Sequence, residues 1–314
     1  MTDVPVFESE SEYCSHRSDL NFWWPHIVHV LKKHNREGCE KNSMAKCGFN
    51  PTYPVFLIGD IVIKFFGHRP YWLNAFNTEC AAHDYLIKDN TILAPRILAK
   101  GELFPDINAC WPYIISSKVR GRSWLDTNLT SQEKNNIAAE VGQQLRKIHA
   151  LPIDERLKHD DKWSALNFMA AAEKSVLPKH LIAQVDSFIA TLDDFDRCFV
   201  NGDMVDTHIF IESGHLSGII DWGDATITDR HYELGKLMNT FDWDKRLLKT
   251  VLETSHWPVK KNFAKQSLGL SLYRQAVGLT QHSSFDVFYQ LPNLLPLEDI
   301  ATLEDLAIVL FDVY

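Results

Sequence analysis

After Val200 the chain reads Asn201-Gly-Asp-Met-Val-Asp-Thr-His208, and the apolar run Ile209-Phe-Ile follows. Two carboxylates, a carboxamide and an imidazole share this one segment. Further on, Asp221 closes a second apolar run, "LSGIID", just before Trp222-Gly223. An Asp at the end of an apolar strand can hold a divalent cation beside a bound phosphate. Upstream, Lys64 lies inside the apolar run Ile61 to Phe66. A buried ammonium is costly unless an anion meets it, either a carboxylate or a ligand phosphate. Glu79, in the next segment, is a candidate partner. Taken singly, each residue has an ordinary explanation: a strand Lys that faces solvent, or an Asp that caps a turn.

The order is more informative than any one residue. Lys64, Glu79, Asp203 with His208 five positions on, and Asp221 make a set suited to phosphoryl transfer. That reaction asks a protein for positioning and charge neutralisation rather than covalent chemistry. A strand Lys paired with a helix carboxylate would hold donor phosphates. A loop Asp would orient or deprotonate an acceptor hydroxyl. A second Asp, with a loop side chain, would hold magnesium.

The elements that must position these residues change character along the chain. "YPVFLI" and "IVIKFF" flank Gly59-Asp60 and predict a β-hairpin. A helix is expected from about Asn77 to Lys88, and a strand in "PRILAKGEL" after Pro95. "WPYIISSKVRGRSW" runs from a strand into polar residues and reads as a hinge. Beyond it, Thr130 and Glu133 have capping-box spacing, and Ile137, Val141, Leu145 and Ile148 line one helical face. "RCFVNGDMVDTHIFIESGHLSGIIDWGDA" predicts strand, Ser-Gly turn and strand, with carboxylates at both margins. Four amphipathic segments follow residue 230. The expectation is an α+β bilobal fold, with a β-containing N-terminal lobe over residues 1–117 and a mainly helical C-terminal lobe over 118–314.

These motifs resemble the aminoglycoside phosphotransferases, a branch of the protein-kinase-like fold. That family carries His-Gly-Asp-x4-Asn, an apolar strand, then Ile-Asp-(Trp/Phe)-x-(Asp/Glu). Here the pattern is "NGDMVDTHIFI…GIIDWGDA", with "TDRHYELGKL" after it. The chain is most similar to the hygromycin B kinases that modify the 7″ hydroxyl. "SEYCSHRSDLNFWWP", "NPTYPVFLIGDIVIKFFG", "PRILAKGEL" and "WPYIISSKVRGRSW" carry that likeness, so it spans most of residues 10 to 260. It implies an O-kinase that moves the γ-phosphate of ATP or GTP to a hydroxyl of a cationic or polyhydroxylated small molecule. It implies Asp203 as the catalytic Asp and Asp221 as a magnesium ligand. Lys64 would contact the nucleotide phosphates, with Glu79 as its partner. The backbone of Ser117 and Val119 would meet the adenine edge. Ser116, small, would leave the base pocket deep and the choice between ATP and GTP open. Asp229 would tie the catalytic region to the helical lobe.

Two positions depart from the family. Asn201 stands for the loop His, a mild change, because Asn still makes side-chain hydrogen bonds. His208 stands for the loop Asn, which offers magnesium a carbonyl oxygen; an imidazole nitrogen matches that ion poorly. Three explanations stay open. His208 binds through a water or favours manganese, Asp206 supplies the lost oxygen, or the site only binds nucleotide. A kinase-like enzyme acting on a protein or another metabolite, and a nucleotide-binding pseudokinase, are the alternatives to the small-molecule kinase.

Whole-chain properties narrow the classes. A net charge of −9 argues against broad binding to a nucleic-acid backbone. No apolar run reaches the roughly 20 residues of a membrane span, and the acidic start "MTDVPVFESESEY" does not read as a signal peptide. The cysteines, at 14, 39, 47, 80, 110 and 198, form no C-x-x-C pair, so reduced thiols and a cytoplasmic location are expected. Asp242, Asp244, Glu298, Asp299, Glu304 and Asp305 could face a cationic substrate, but caps and solvated helix faces explain them as well.

Overall fold

The computed structural model describes residues 3–36, 45–105, 111–154, 157, 163–281 and 285–313. Two compact units emerge: Met1–Lys88 with Ala94–Arg120, and Asp89–Leu93 with Gly121–Tyr314.

In the first unit, α1 (Glu10–His16) and α2 (Leu20–Lys33) precede an antiparallel sheet. Its strands are β1 (Lys46–Cys47), β2 (Val55–Ile58), β3 (Ile61–Phe65), β4 (Ile97–Glu102) and β5 (Pro112–Ser117), in the order β1-β2-β3-β5-β4. The Gly59-Asp60 turn pairs Ile58 with Ile61, as the hairpin reading expected. Side chains alternate across a strand. Ile61, Ile63 and Phe65 therefore share one face, where they bury against Trp23, Ile27, Val30 and Leu31 of α2. Lys64 points to the opposite face, which α3 (Trp72–Leu86) covers: Trp72, Ala75 and Phe76 pack there on a cluster that includes Phe66, Cys80 and Ile114. The helix expected from Asn77 thus starts at Trp72 and ends at Leu86. Its N-cap, Tyr71, makes no side-chain cap, so no capping residue marks the start in the sequence.

The second unit is mainly helical. β6 (Arg122–Ser123) precedes α4 (Ser131–His149), whose Thr130/Glu133 capping box is formed in full. The α4 face of Ile137, Val141, Leu145 and Ile148 is fully buried. Three short helices follow: α5 (Phe168–Ala172), α6 (Lys179–Ile182) and α7 (Val185–Ile189). Next come β7 (Arg197–Val200), β8 (Ile209–Glu212), β9 (His215–Ile219) and β10 (Thr226–Asp229). β7 pairs with β10, while β8 lies between β6 and β9. Four helices complete the described residues: α8 (Tyr232–Thr240), α9 (Lys245–Ser255), α10 (Phe263–Gln281) and α11 (Leu303–Phe311). The ambiguous acidic residues split. Asp244 caps α9 and Asp305 completes the α11 cap with Thr302, whereas Asp242 is exposed and 3.5 Å from Lys134. Cys14, Cys47, Cys80 and Cys198 are free thiols; Cys39 and Cys110 lie outside the described residues. Among the described residues no helix is long and apolar enough to cross a membrane.

The packing of α4 on α9 gives a local test. A Cβ at Gly142 would lie 2.7 Å from the carbonyl oxygen of Val251 and would also meet Thr254 Oγ1. Helix propensity favours Ala over Gly by about 1 kcal/mol. Overpacking against backbone costs about 1–3 kcal/mol. Gly142→Ala is therefore expected to lower the unfolding free energy despite its better propensity, as read by denaturant melts.

Candidate functional site

β7 delivers the chain at Val200 into the segment Asn201-Gly202-Asp203. Gly202 has φ +79°, and a Cβ there would meet the Asp224 carbonyl oxygen at 2.8 Å, so this turn excludes side chains. Asn201 is fully buried. Its Oδ1 accepts the Asp203 N–H at 2.9 Å, and its Nδ2 donates to the Asp221 carbonyl at 3.0 Å. One carboxamide thereby joins the loop after β7 to the loop after β9. Asp221 needs such support, because its φ of +57° is uncommon for a residue with a side chain.

His208 lies beside both carboxylates. Its Nδ1 is 2.8 Å from the Asp203 backbone oxygen. A carbonyl only accepts, so Nδ1 carries a proton and donates. The same Nδ1 is 3.4 Å from Asp203 Oδ2, while Nε2 is 3.8 Å from Asp221 Oδ2. Asn201, Asp203, His208 and Asp221 are thus brought together. Asp206 belongs to another neighbourhood: burial pushes its carboxyl up, and the carboxylate of Asp242 adds to the rise while His208 opposes it.

Asp203 carries more partners than the sequence suggested. Lys236 Nζ, from α8, is 2.9 Å from its Oδ1, and Arg274 Nη2, from α10, is 3.6 Å away. Burial works to raise its carboxyl, but Lys236, His208 and Arg274 outweigh it and hold the group far below the usual carboxylate range. Arg274, itself buried, also donates Nε to the Gly202 carbonyl at 3.1 Å and Nη2 to Asp224 Oδ2 at 2.9 Å. Glu233, one turn before Lys236, is fully buried and accepts the backbone N–H of Asn201 at 2.5 Å and of Gly202 at 3.2 Å. Burial, reinforced by the nearby Asp203 charge, raises Glu233 to about 7 against the pull of those two amides.

Lys236, Arg274 and Glu233 are the residues that reading the sequence missed. Glu233 and Lys236 lie inside "TDRHYELGKL", a stretch singled out for Asp229 alone. Their spacing on one helix was visible, but nothing in the sequence set that helix beside the loop. Asp229 accepts the backbone N–H of Asp196 at 2.8 Å and of His231 at 2.8 Å, and the His231 ring nitrogen at 2.6 Å. It pins the start of α8 to the residue before β7.

In the first unit, Lys64 Nζ is 2.7 Å from Glu79 Oε2, with both side chains largely buried. Ser116 pairs across the sheet with Val62 and with Ile97. The Ser117 N–H is donated to the Arg96 carbonyl at 2.8 Å, so a base edge would meet its carbonyl instead. Val119 is half-buried in the segment that follows β5.

Residues 59–264 match the family described as "Phosphotransferase enzyme family" (APH). Similar solved structures include a GDP complex of aminoglycoside 2'-phosphotransferase-IIIa, 14% identical, with a TM-score of 0.65 over 90% of this chain and 97% of that one. Another is APH(3'')-Id from Streptomyces rimosus, 14% identical, TM-score 0.55, over 82% of this chain and 98% of that one. A third is a thermostable mutant of APH(4)-Ia in its apo form, 15% identical, TM-score 0.56, over 81% of this chain and 90% of that one. At these identities the likeness is one of fold. A curated relative, a lysine-specific demethylase, JMJ21, of Arabidopsis thaliana, is 25% identical over 215 residues, covering 50% of this chain and only 23% of its own length.

The raised carboxyl of Glu233 has a pH signature. Its folded value of about 7 lies above the ordinary 4.5, so between those limits the folded state holds a proton that the unfolded chain has lost. Stability contributed by this group is full below about pH 4.5 and falls as pH rises towards 7. Measured by denaturant unfolding, the wild type is expected to lose stability relative to Glu233→Gln between pH 4.5 and 7. A constant difference across that window would show an ordinary carboxyl at this position.

Proposed function

We propose, from the premise that the chain belongs to the phosphotransferase enzyme family (APH), that it moves the γ-phosphate of ATP or GTP to a hydroxyl of a small, cationic, polyhydroxylated acceptor. Aminoglycosides, with hygromycin B first, are the acceptors of choice. The observation that carries this reading is the ionised Asp203 held beside His208 and Asp221.

The residues divide the work. The Lys64 ammonium, steadied by Glu79 at 2.7 Å, would meet the donor phosphates. Ser117 and Val119 would meet the base through backbone atoms. Asp203, kept ionised, is a weak base in the ground state. Its first task is to orient the acceptor hydroxyl by accepting its hydrogen bond, and it takes the proton only as the new P–O bond forms. Asp221 fits a divalent ion: its side chain is 39% exposed, and its carboxylate has a possible co-ligand in His208. When bound, Mg²⁺ or Mn²⁺ would neutralise phosphate charge.

An acidic face supports a cationic acceptor. Burial pushes the carboxyl of Asp206 up, with the like charge of Asp242 adding to it. Burial also raises the phenol of Tyr289, and both Asp206 and Asp242 reinforce that shift, although its ring remains 55% exposed. An arriving ammonium would relieve this repulsion. On this reading Asp206 serves the acceptor rather than the metal.

A coupled assay of nucleoside diphosphate release, run with ATP and GTP, Mg²⁺ and Mn²⁺ and an aminoglycoside panel, tests the assignment. Acceptor-dependent turnover is expected, and Asp203→Ala and Asp221→Ala are each expected to lower it by about 100-fold or more. Wild-type turnover in Asp203→Ala would refute the site. Nucleotide binding without turnover on any acceptor would favour a pseudokinase.

The acceptor face makes a separate prediction. Asp206→Asn is expected to raise KM for a cationic acceptor by about tenfold, with kcat little changed, as removal of uniform binding requires. A fall in kcat with KM unchanged would place Asp206 in the metal site instead.

A further inference from the structure

The exchange at position 208 can be read further, resting on the nucleotide-dependent reaction proposed above. His208 Nδ1 donates to the Asp203 carbonyl at 2.8 Å. With its one proton committed there, a neutral imidazole has only a lone pair at Nε2. That nitrogen is 3.8 Å from Asp221 Oδ2. The distance is too long for a hydrogen bond. It lies within the span of two ligands that each bind one ion at about 2.0–2.2 Å. The Nδ1–H···O=C bond is also the arrangement that orients a metal-binding imidazole and fixes its tautomer. The ring is held on both sides of the argument: its side chain is 17% exposed, and the Ile220 N–H donates to the His208 carbonyl at 3.0 Å.

We infer that His208 Nε2 and Asp221 Oδ2 form a mixed nitrogen–oxygen site for the nucleotide-bound divalent ion, and that the site prefers a transition ion such as Mn²⁺ to Mg²⁺. The reason is ligand chemistry. Magnesium demands hard oxygen in near-octahedral geometry and gives up water reluctantly. First-row transition ions accept imidazole nitrogen, and their affinity for such a donor exceeds that of the hard ion. A carboxamide at this position would offer oxygen and favour magnesium. The remaining positions around the ion would be filled by phosphate oxygens and water.

The test uses the full chain with ADP and Mn²⁺ and reads binding rather than turnover. Pulsed EPR of the Mn²⁺–ADP complex is expected to show nitrogen-14 modulation from a directly bound imidazole, and His208→Asn should abolish it. By calorimetry, the ratio of Mn²⁺ to Mg²⁺ affinity in the presence of ADP is expected to fall by about 10–100-fold in His208→Asn, the range that loss of even a supporting partner reaches. A thermal melt of the variant checks that it folds. Bound Mn²⁺–ADP without nitrogen modulation in the wild type would overturn the inference and leave the kinase reading intact. No metal-dependent binding of ADP at all would overturn both.

Discussion

A carboxylate that must stay charged in a largely enclosed place is the constraint on which the second unit depends. Removing such a group from water costs several kcal/mol even after relaxation. Asp203 remains ionised because Lys236, His208 and Arg274 surround it at 2.9, 3.4 and 3.6 Å. Two of these three come from helices far along the chain, α8 and α10. The catalytic loop therefore cannot hold its own charge state. It acquires that state only when the helices behind it are folded. The same ionisation makes Asp203 a poor base, which suits a reaction whose transition state gathers little negative charge on the attacking hydroxyl until late.

The neighbouring carboxyl behaves in the opposite way. Glu233 is deeper than Asp203 and binds backbone amides instead of cations, so its value rises to about 7 while that of Asp203 falls. One turn of helix separates Glu233 from Lys236, so α8 presents an acceptor for the loop backbone and a cation for the loop side chain together. Arg274 completes the frame, with one nitrogen on the Gly202 carbonyl and another on Asp224. The loop after β7 and the turn after Asp221 are thus clamped to the same guanidinium. This clamping matters because both segments hold left-handed backbone, at Gly202 and Asp221. Strain of that kind persists only where the surroundings over-determine it.

How far the sequence reached follows from which forces act locally. The β2–β3 hairpin, the capping box at Thr130 and the buried face of α4 were legible, because turn chemistry and apolar period operate over a few residues. The set Lys64, Asp203, Asp221 was legible because its residue types and order are costly to explain otherwise. The start of α3 was not, since Tyr71 offers no cap. Lys236, Glu233 and Arg274 were not, since an amphipathic helix shows which of its faces is polar but not what that face will meet. Even the side of the sheet chosen by Lys64 was ambiguous. Its pairing with Glu79 was expected, yet only the packing of α3 on that face decides it.

The exchange of Asn and His at positions 201 and 208 has a physical logic once the partners are known. Position 201 must accept from the Asp203 amide and donate to the Asp221 carbonyl. A carboxamide has both capacities, and so does a neutral imidazole. Position 208 must donate to the Asp203 carbonyl. Again either side chain can do so. The scaffold demands on the two positions are therefore met by either residue, and the exchange leaves the hydrogen bonds that join the two loops in place. What it changes is the second atom at position 208. A carboxamide oxygen becomes a ring nitrogen, and this atom is the one nearest Asp221 Oδ2. The substitution is thus conservative for the fold of the loop and non-conservative for any ion held there. That separation allows a departure from the family pattern to leave the architecture undisturbed while altering the chemistry at its centre.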